Sequence, residues 1–161
     1  MKVVQINATC GVGSTGKICV AVSKLLTNCG TENYIIYSSR DSDYHLGIKC
    51  ATKWYNKFQS LKSHIFGNYG FNSGLATRRI ISEIEKIRPD IVHLHNLHGH
   101  NCDLEMLFTY FQKKPEIRLF WTFHDCWAFT GYCPHYMMAK CFQWKNQCTT
   151  CSQYHDYSFF F

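Results

Sequence analysis

The stretch from Met1 to about Cys29 constrains the chain most: a short apolar run, a glycine-rich turn, then an amphipathic pattern. Val3, Val4 and Ile6 read as a strand, and Gly11, Gly13, Ser14, Thr15 and Gly16 as the turn. From Lys17 onward Ile18, Val20, Ala21, Val22, Leu25 and Leu26 recur at helical spacing, with Gly30 at the place of a C-cap glycine. A strand that turns sharply into a helix leaves unpaired backbone N–H groups at the helix start. Such a start is a ready seat for a phosphate.

Several readings share this turn. Gly11-x-Gly13-x-x-Gly16 matches the dinucleotide-binding fingerprint. That fingerprint also wants an acidic residue closing the second strand to hold a ribose, and here the strand runs into Ser38, Ser39 and Arg40, with Asp41 a little beyond. Gly11, four intervening residues, Gly16 and Lys17 nearly make a P-loop. Ile18, however, stands where a hydroxyl must ligate magnesium, and a hydrocarbon cannot bind a hard cation. A turn that only packs helix against sheet, and a phosphate-facing turn in another class of nucleotide-using enzyme, complete the set.

The remaining chain alternates strand and helix. After the strand at about 2–7 and the helix at about 15–29, Tyr34 to Tyr37 reads as a strand and 39–50 as a polar connection. Residues 51–70 carry Trp54, Tyr55, Phe58, Leu61, Ile65 and Phe66 on one helical face, a core or partner-facing stripe. Asn72 or Ser73 can cap the next helix, whose buried stripe is Leu75, Ile80, Ile81, Ile84 and Ile87, and Pro89 ends it. Asp90 to His95 is a strand, Asp103 opens a helix to about Lys114, Pro115 stops it, and Ile117 to Phe123 is the last strand. This order predicts an α/β fold: a Rossmann-like, mostly parallel sheet with helices on both faces. Ligands bind beyond the carboxyl ends of such strands. One rim therefore receives the glycine turn, Asn96 to His100, and His124 to Trp127.

Those rim segments hold the reactive groups. His93 and His95 share one side of a strand, and His98 and His100 follow. A metallohydrolase pattern would need a carboxylate where Leu97 stands, so no hydrolytic metal is expected. His93 reads as a hydrogen-bonded core histidine, whereas His95, Asn96 and His98 are placed to hold sugar or phosphate hydroxyls. His124 beside Asp125 could be oriented by it and act as acid, base or hydrogen-bond donor, and Trp127 offers a flat face to a sugar ring. No nucleophile elbow of the Gly-x-Ser-x-Gly type occurs.

Cys133, Cys141, Cys148 and Cys151 lie in a segment of unclear secondary structure, residues 126–153. Cys148-x-x-Cys151 has metal-ligand spacing, so structural zinc stands beside free or redox thiols and disulfides as a reading. The ten cysteines follow no export signal, which argues for reduced thiols and a cytoplasmic address. No apolar run approaches the roughly 20 residues of a membrane span. The net charge of +6 is scattered, with no basic stripe for nucleic acid, leaving a mild attraction for anionic substrates or the inner membrane face. The aromatic end at Phe159 to Phe161 suggests a chain cut from something longer.

Three motifs in this order, VVQINATCGVGSTGKI, IRPDIVHLHNLHG and FWTFHDCWAFTGYC with its trailing cysteines, make the chain resemble the N-terminal half of a bacterial family-4 glycosyltransferase. The resemblance is to the capsular and exopolysaccharide type and runs over nearly the whole chain. It implies the GT-B architecture, with 1–161 a single acceptor-side domain and the donor domain absent. It further implies retaining hexosyl transfer from a nucleotide sugar to a glycan or lipid-linked glycan, without a catalytic metal, and no activity for this half alone. By the same resemblance Gly13, Ser14, Thr15, Gly16 and Lys17 face the donor diphosphate or the acceptor. His124, with Asp125 beside it, touches the transferred sugar, and His95 and Asn96 lie on the acceptor side. The competing classes are a Rossmann oxidoreductase domain binding a dinucleotide and a non-catalytic, zinc-stabilised binding module.

Overall fold

The computed structural model describes residues 1–66, 71, 73–98, 101–130, 133–146, 148–149 and 151, with backbone alone at 63, 64 and 66. Asn72 as a cap, His100, the side chain of Phe66 and the aromatic end at 154–161 lie outside the described residues.

Five parallel strands form one sheet in the order β3-β2-β1-β4-β5. They are β1 (Lys2–Asn7), β2 (Glu32–Tyr37), β3 (Gly47–Lys49), β4 (Ile91–Leu94) and β5 (Arg118–Trp121). The central strand β1 pairs with β2 through Val4↔Tyr34 and with β4 through Val4↔Val92. From β1 the chain steps outward to β2 and β3, then returns to the other side of β1 for β4 and β5. That reversal is the topological switch point at which doubly wound sheets open a crevice. The α/β, Rossmann-like expectation holds.

Helices cover both faces. α3 (Gly74–Ile87) and α4 (Leu104–Gln112) bury Ile80, Ile84, Leu104, Leu107 and Phe111 against Val4, Ile6, Ile36, Val92 and Leu94. Asp103 caps α4 by accepting from the Met106 N–H at 3.0 Å. On the opposite face α1 (Gly13–Asn28) sits over Ile35 and Tyr37 with Cys19 and, in part, Val20.

Three expectations change and a fourth is narrowed. α1 packs through Gly16, Cys19 and Ser23, while Ile18 and Leu25 are exposed; small residues let the helix axis sit close to the sheet. The polar connection contains β3, three residues added beside β2. Leu75 is exposed, and Ala76 and Thr77 take the inward positions at the start of α3; Ser73 stands at its N-cap without a capping side-chain bond. On α2 (Lys53–Phe66) Trp54, Phe58, Leu61 and Ile65 face outward, which leaves the partner-facing reading of the stripe and excludes the core one. As expected, Gly30 follows α1 at φ +69° and donates to the Thr27 carbonyl. Among the described residues no helix is long and apolar enough to cross a membrane.

Candidate functional site

The site lies at the carboxyl ends of β1 and β4, and two polar side chains of β1 build it. Gln5 and Asn7 alternate with Val4 and Ile6, so both face the α1 side of the sheet, where a strand interior ordinarily holds hydrocarbon. Gln5 is fully buried. Its Nε2 donates to the Cys19 carbonyl at 3.0 Å, which turns Oε1 toward His95 Nε2 at 3.2 Å.

A carbonyl oxygen only accepts, so the His95 proton sits on Nε2 and His95 Nδ1 is an acceptor. His124 Nε2 lies 2.9 Å from that Nδ1 and carries the hydrogen between them. In neutral His124 the remaining lone pair is then on Nδ1. Burial, reinforced by the nearby His93 and His124 rings, depresses the His95 pKa to about 3. His95 is thus a fixed neutral acceptor, and His124 can take a proton at Nδ1 while its Nε2–H stays anchored. That is the behaviour of a general acid–base or a switchable hydrogen-bond donor. His93, its ring tilted and centred 4.1 Å from that of His95, bonds Thr122 Oγ1 at 2.8 Å; it is hydrogen-bonded as expected but half-buried rather than in the core, and burial lowers its pKa.

The chain-adjacent pairing expected of His124 and Asp125 is replaced by pairing across strands. Asp125 Oδ2 accepts from His98 Nε2 at 2.7 Å, and its Oδ1 accepts from the Trp127 N–H at 3.0 Å. Neighbouring residues leaving a strand point to opposite sides, so His124 turns to His95 and Asp125 to His98. Trp127 opens α5 (Trp127–Thr130), and its ring, 7% exposed, belongs to the core and lies 5.5 Å from the His98 ring. Its expected open face for a sugar is therefore corrected to a floor beneath His98. His95, Asn96, His98, His124, Asp125 and Trp127 line a crevice of about 10 Å³. That is room for one water, so any larger ligand sits above the histidines.

Asn7 ties this group to the glycine turn. Its Oδ1 accepts the Asn96 N–H at 3.1 Å and its Nδ2 donates to the Thr9 carbonyl at 2.7 Å. Within the turn Thr9 Oγ1 donates to the Val12 carbonyl and the Gly11 N–H to the Gly16 carbonyl. Gly11 and Gly13 take φ of +69° and +72°, which glycine alone adopts at no steric cost. α1 begins without a side-chain cap and without an acidic residue in its first turn, and Gly13, Ser14 and Lys17 are exposed. An anion is the partner such a start accepts best. Sequence reasoning passed over Gln5 and Asn7, although polar residues at alternating positions of an apolar strand were a signal for them. It also passed over Asn101, which accepts from Ser38 and Ser39 and donates to the His98 carbonyl.

Among the described residues no disulfide joins two cysteines. Burial pushes Cys19, Cys50 and Cys102 up to about 12, which makes them inert. Burial also raises Cys133, and the nearby Cys151, Cys141 and Cys126 thiols raise it further. Among the described residues, however, no three His, Cys, Asp or Glu side chains gather to hold a metal ion.

Gln5→Leu tests the anchor. It strands the buried His95 Nε2–H without its acceptor and removes the second hydrogen bond to the Cys19 carbonyl, which α1 still satisfies, at a cost of about 1–3 kcal/mol. Urea midpoints should fall accordingly, and ¹⁵N spectra should show His95 losing its single tautomer. An unchanged tautomer pattern would mean that Gln5 does not set it.

No protein-family model matches the chain, and no solved structure matches it. Among curated proteins it is similar to WcaC of Escherichia coli (strain K12), which bears the name of a colanic acid biosynthesis glycosyl transferase. The two are 22% identical over 174 residues, covering 98% of this chain and 41% of WcaC. The chain thus spans about two fifths of the length of the curated relative it matches.

Proposed function

We propose that the chain is the acceptor-side half of a two-domain, GT-B glycosyltransferase that moves a hexosyl group, with retention, from a nucleotide sugar during cell-surface polysaccharide synthesis. The observation that carries the reading is the meeting of the uncapped α1 start and the His95–His124 pair on one rim at the switch point. The similarity to WcaC along nearly the whole chain supports it.

In this reading the N–H groups of Gly13 to Gly16, with Ser14, Thr15 and Lys17, face a diphosphate. His124 reaches the transferred sugar, while His95, Asn96 and His98 line the acceptor side. Asp125 acts through His98. Charge growing on the leaving diphosphate meets fixed dipoles and an imidazole that need not move, an electrostatic role that asks for no metal and no covalent intermediate. The nucleotide is the partner of a second domain, and the acceptor is a glycan or lipid-linked glycan.

The test uses purified residues 1–161. A short-chain polyprenyl diphosphate glycan should shift the ring ¹⁵N signals of His95, His98 and His124, while uridine and guanosine diphosphate sugars remain uncleaved and untransferred. Robust turnover by this chain alone would refute the half-site reading. Saturable NAD binding that shifts the Gly11–Gly16 amides would replace it with a dinucleotide domain.

A further inference from the structure

A groove of about 520 Å³ opens on the same rim where β3 ends and α2 begins, lined chiefly by Asp41, Lys49, Thr52, Lys53, Trp54 and Arg79. None of these residues takes part in the histidine site. The crevice among the histidines takes one water, whereas this groove falls within the roughly 300–1,000 Å³ of sites that enclose small molecules.

Electrostatics set the charge of what fits. Asp41 places one carboxylate oxygen on Lys49 and the other on Lys53, so three cations face one carboxylate and the groove keeps a positive surplus. An ammonium has three donors and a guanidinium five. Each lysine gives one to Asp41, and Arg79 gives one to the Cys50 carbonyl at 3.4 Å, which leaves donors for an incoming anion. α2 adds to the field. Thr52 Oγ1 accepts the Tyr55 N–H at 3.2 Å, and no acidic side chain stands in the first turn, so the positive end of the helix is not neutralised there.

Trp54 sets the rest of the ligand. Its side chain lines the groove and is 82% exposed, with the Lys57 ammonium 5.5 Å from the ring centre. A bare inorganic anion has no use for an indole wall. A pyranose does: its C–H groups lie against an electron-rich plane while its hydroxyls and an anionic substituent turn to charged side chains. Asp41, fixed between two ammonium groups, is an acceptor for those hydroxyls.

Strand order relates the groove to the histidines. β3, β2, β1 and β4 are consecutive in the sheet. Adjacent strands lie about 4.8 Å apart, which sets the end of β3 about 14 Å from the end of β4. Ser38, Ser39 and the glycine turn follow the strands in between. A short run of sugars laid along the rim reaches from one site to the other.

We propose that this groove binds an acidic sugar residue, a pyranose bearing a carboxylate or phosphate. Arg79, Lys49 and Lys53 hold the anion, Asp41 accepts from hydroxyls and Trp54 lies against the ring. The binding stands on the groove alone. Its place in the reaction rests on the glycosyl-transfer reading: there the acidic residue sits a few sugars back from the one that meets His124, and the groove favours anionic acceptor glycans over neutral ones.

Titration of the full chain with tri-galacturonate, followed by tryptophan fluorescence and the amide shifts of Lys49 to Trp54, tests the binding. The acid should bind saturably, and its fully methyl-esterified form, the same sugar without its charge, about tenfold or more weaker. Arg79→Gln and Lys49→Gln should each lower affinity about fivefold or more. Trp54→Ala should lower it about tenfold or more while leaving the melting temperature in place, since the side chain faces solvent. Lys114→Gln, whose lysine pairs with Glu85 outside the groove, should change nothing. Glucose 6-phosphate binding above galacturonate assigns the anion to a phosphate, and the reverse order to a carboxylate. Equal binding of acid and ester, indifference to the three groove variants, or inorganic phosphate binding as tightly as the sugars would each overturn the proposal. If tri-galacturonate binds and the polyprenyl diphosphate glycan leaves the histidine signals unmoved, the groove stands and only its place in the acceptor falls.

Discussion

Acidification from pH 7 to pH 4 is expected to cost the fold about 3 kcal/mol through His95 alone. The sign follows from where the proton binds. The folded pKa of His95 is depressed to about 3 because the ring is 2% exposed and crowded by His93 and His124. An unfolded histidine titrates near 6.5, so below that pH the unfolded chain binds a proton that the folded chain refuses. The stability contribution is complete above pH 6.5 and drains away as pH falls toward 3. His93, also lowered by burial, adds in the same direction. Carboxylates act later. Glu85 and Asp41, lowered chiefly by their hydrogen bonds to Lys114 and Lys49, lose their contribution only below their unfolded values, and both are solvent-screened. The window from 6.5 to about 4.5 therefore belongs to the histidines. Urea midpoints at four pH values would measure it. His95→Phe should be less stable at pH 7 yet show a flattened acid limb; an acid limb as steep as the wild type's would mean the proton is taken up elsewhere.

Gly16→Ala is expected to cost about 2–3 kcal/mol, an unusually large penalty for one methyl group. A Cβ built there meets Thr9 Oγ1 at 2.7 Å and the Gly11 N and Thr9 O atoms at 3.2 Å. Two of these contacts are main chain, and the third side chain is held by its bond to the Val12 carbonyl. Relief requires the turn to lift away from α1, breaking the Gly11 N–H to Gly16 carbonyl bond. Gly13→Ala separates space from backbone conformation. Nothing lies within 4 Å of a Cβ there, and its φ of +72° alone sets the penalty, about 1–2 kcal/mol. Denaturant midpoints and amide exchange at Ser14 and Thr15 distinguish the two. Equal penalties would show that crowding at Gly16 is not what holds the turn.

Much of this could be read from residue order. Long elements with regular period were legible: β1, α3, α4, and the rim shared by the turn and the two histidine segments. β3 escaped because three residues within SRDSDYHLGIKC carry too few alternations to stand out. α1's inward face escaped for a different reason. Hydrophobicity weights Ile18 and Leu25, whereas close approach to the sheet selected Gly16, Cys19 and Ser23. On α2 the apolar stripe was visible but its direction was not, since periodicity states that a face exists and not what it meets. The site shows the same limit. His124 and Asp125 are neighbours in sequence, yet their partners, His95 and His98, lie 29 and 27 positions away.

These separations govern when the site comes into being during folding. α1 and the β1–β2 pair draw on residues near in sequence and can form early. The Gln5–His95 and Asn7–Asn96 bonds close loops of 90 and 89 residues, and parallel pairing between β1 and β4 must wait for that closure. The opening segment of the chain is made first and completed last. A partly folded molecule can therefore present the glycine turn, but the histidine pair exists only in one whose longest loop has shut.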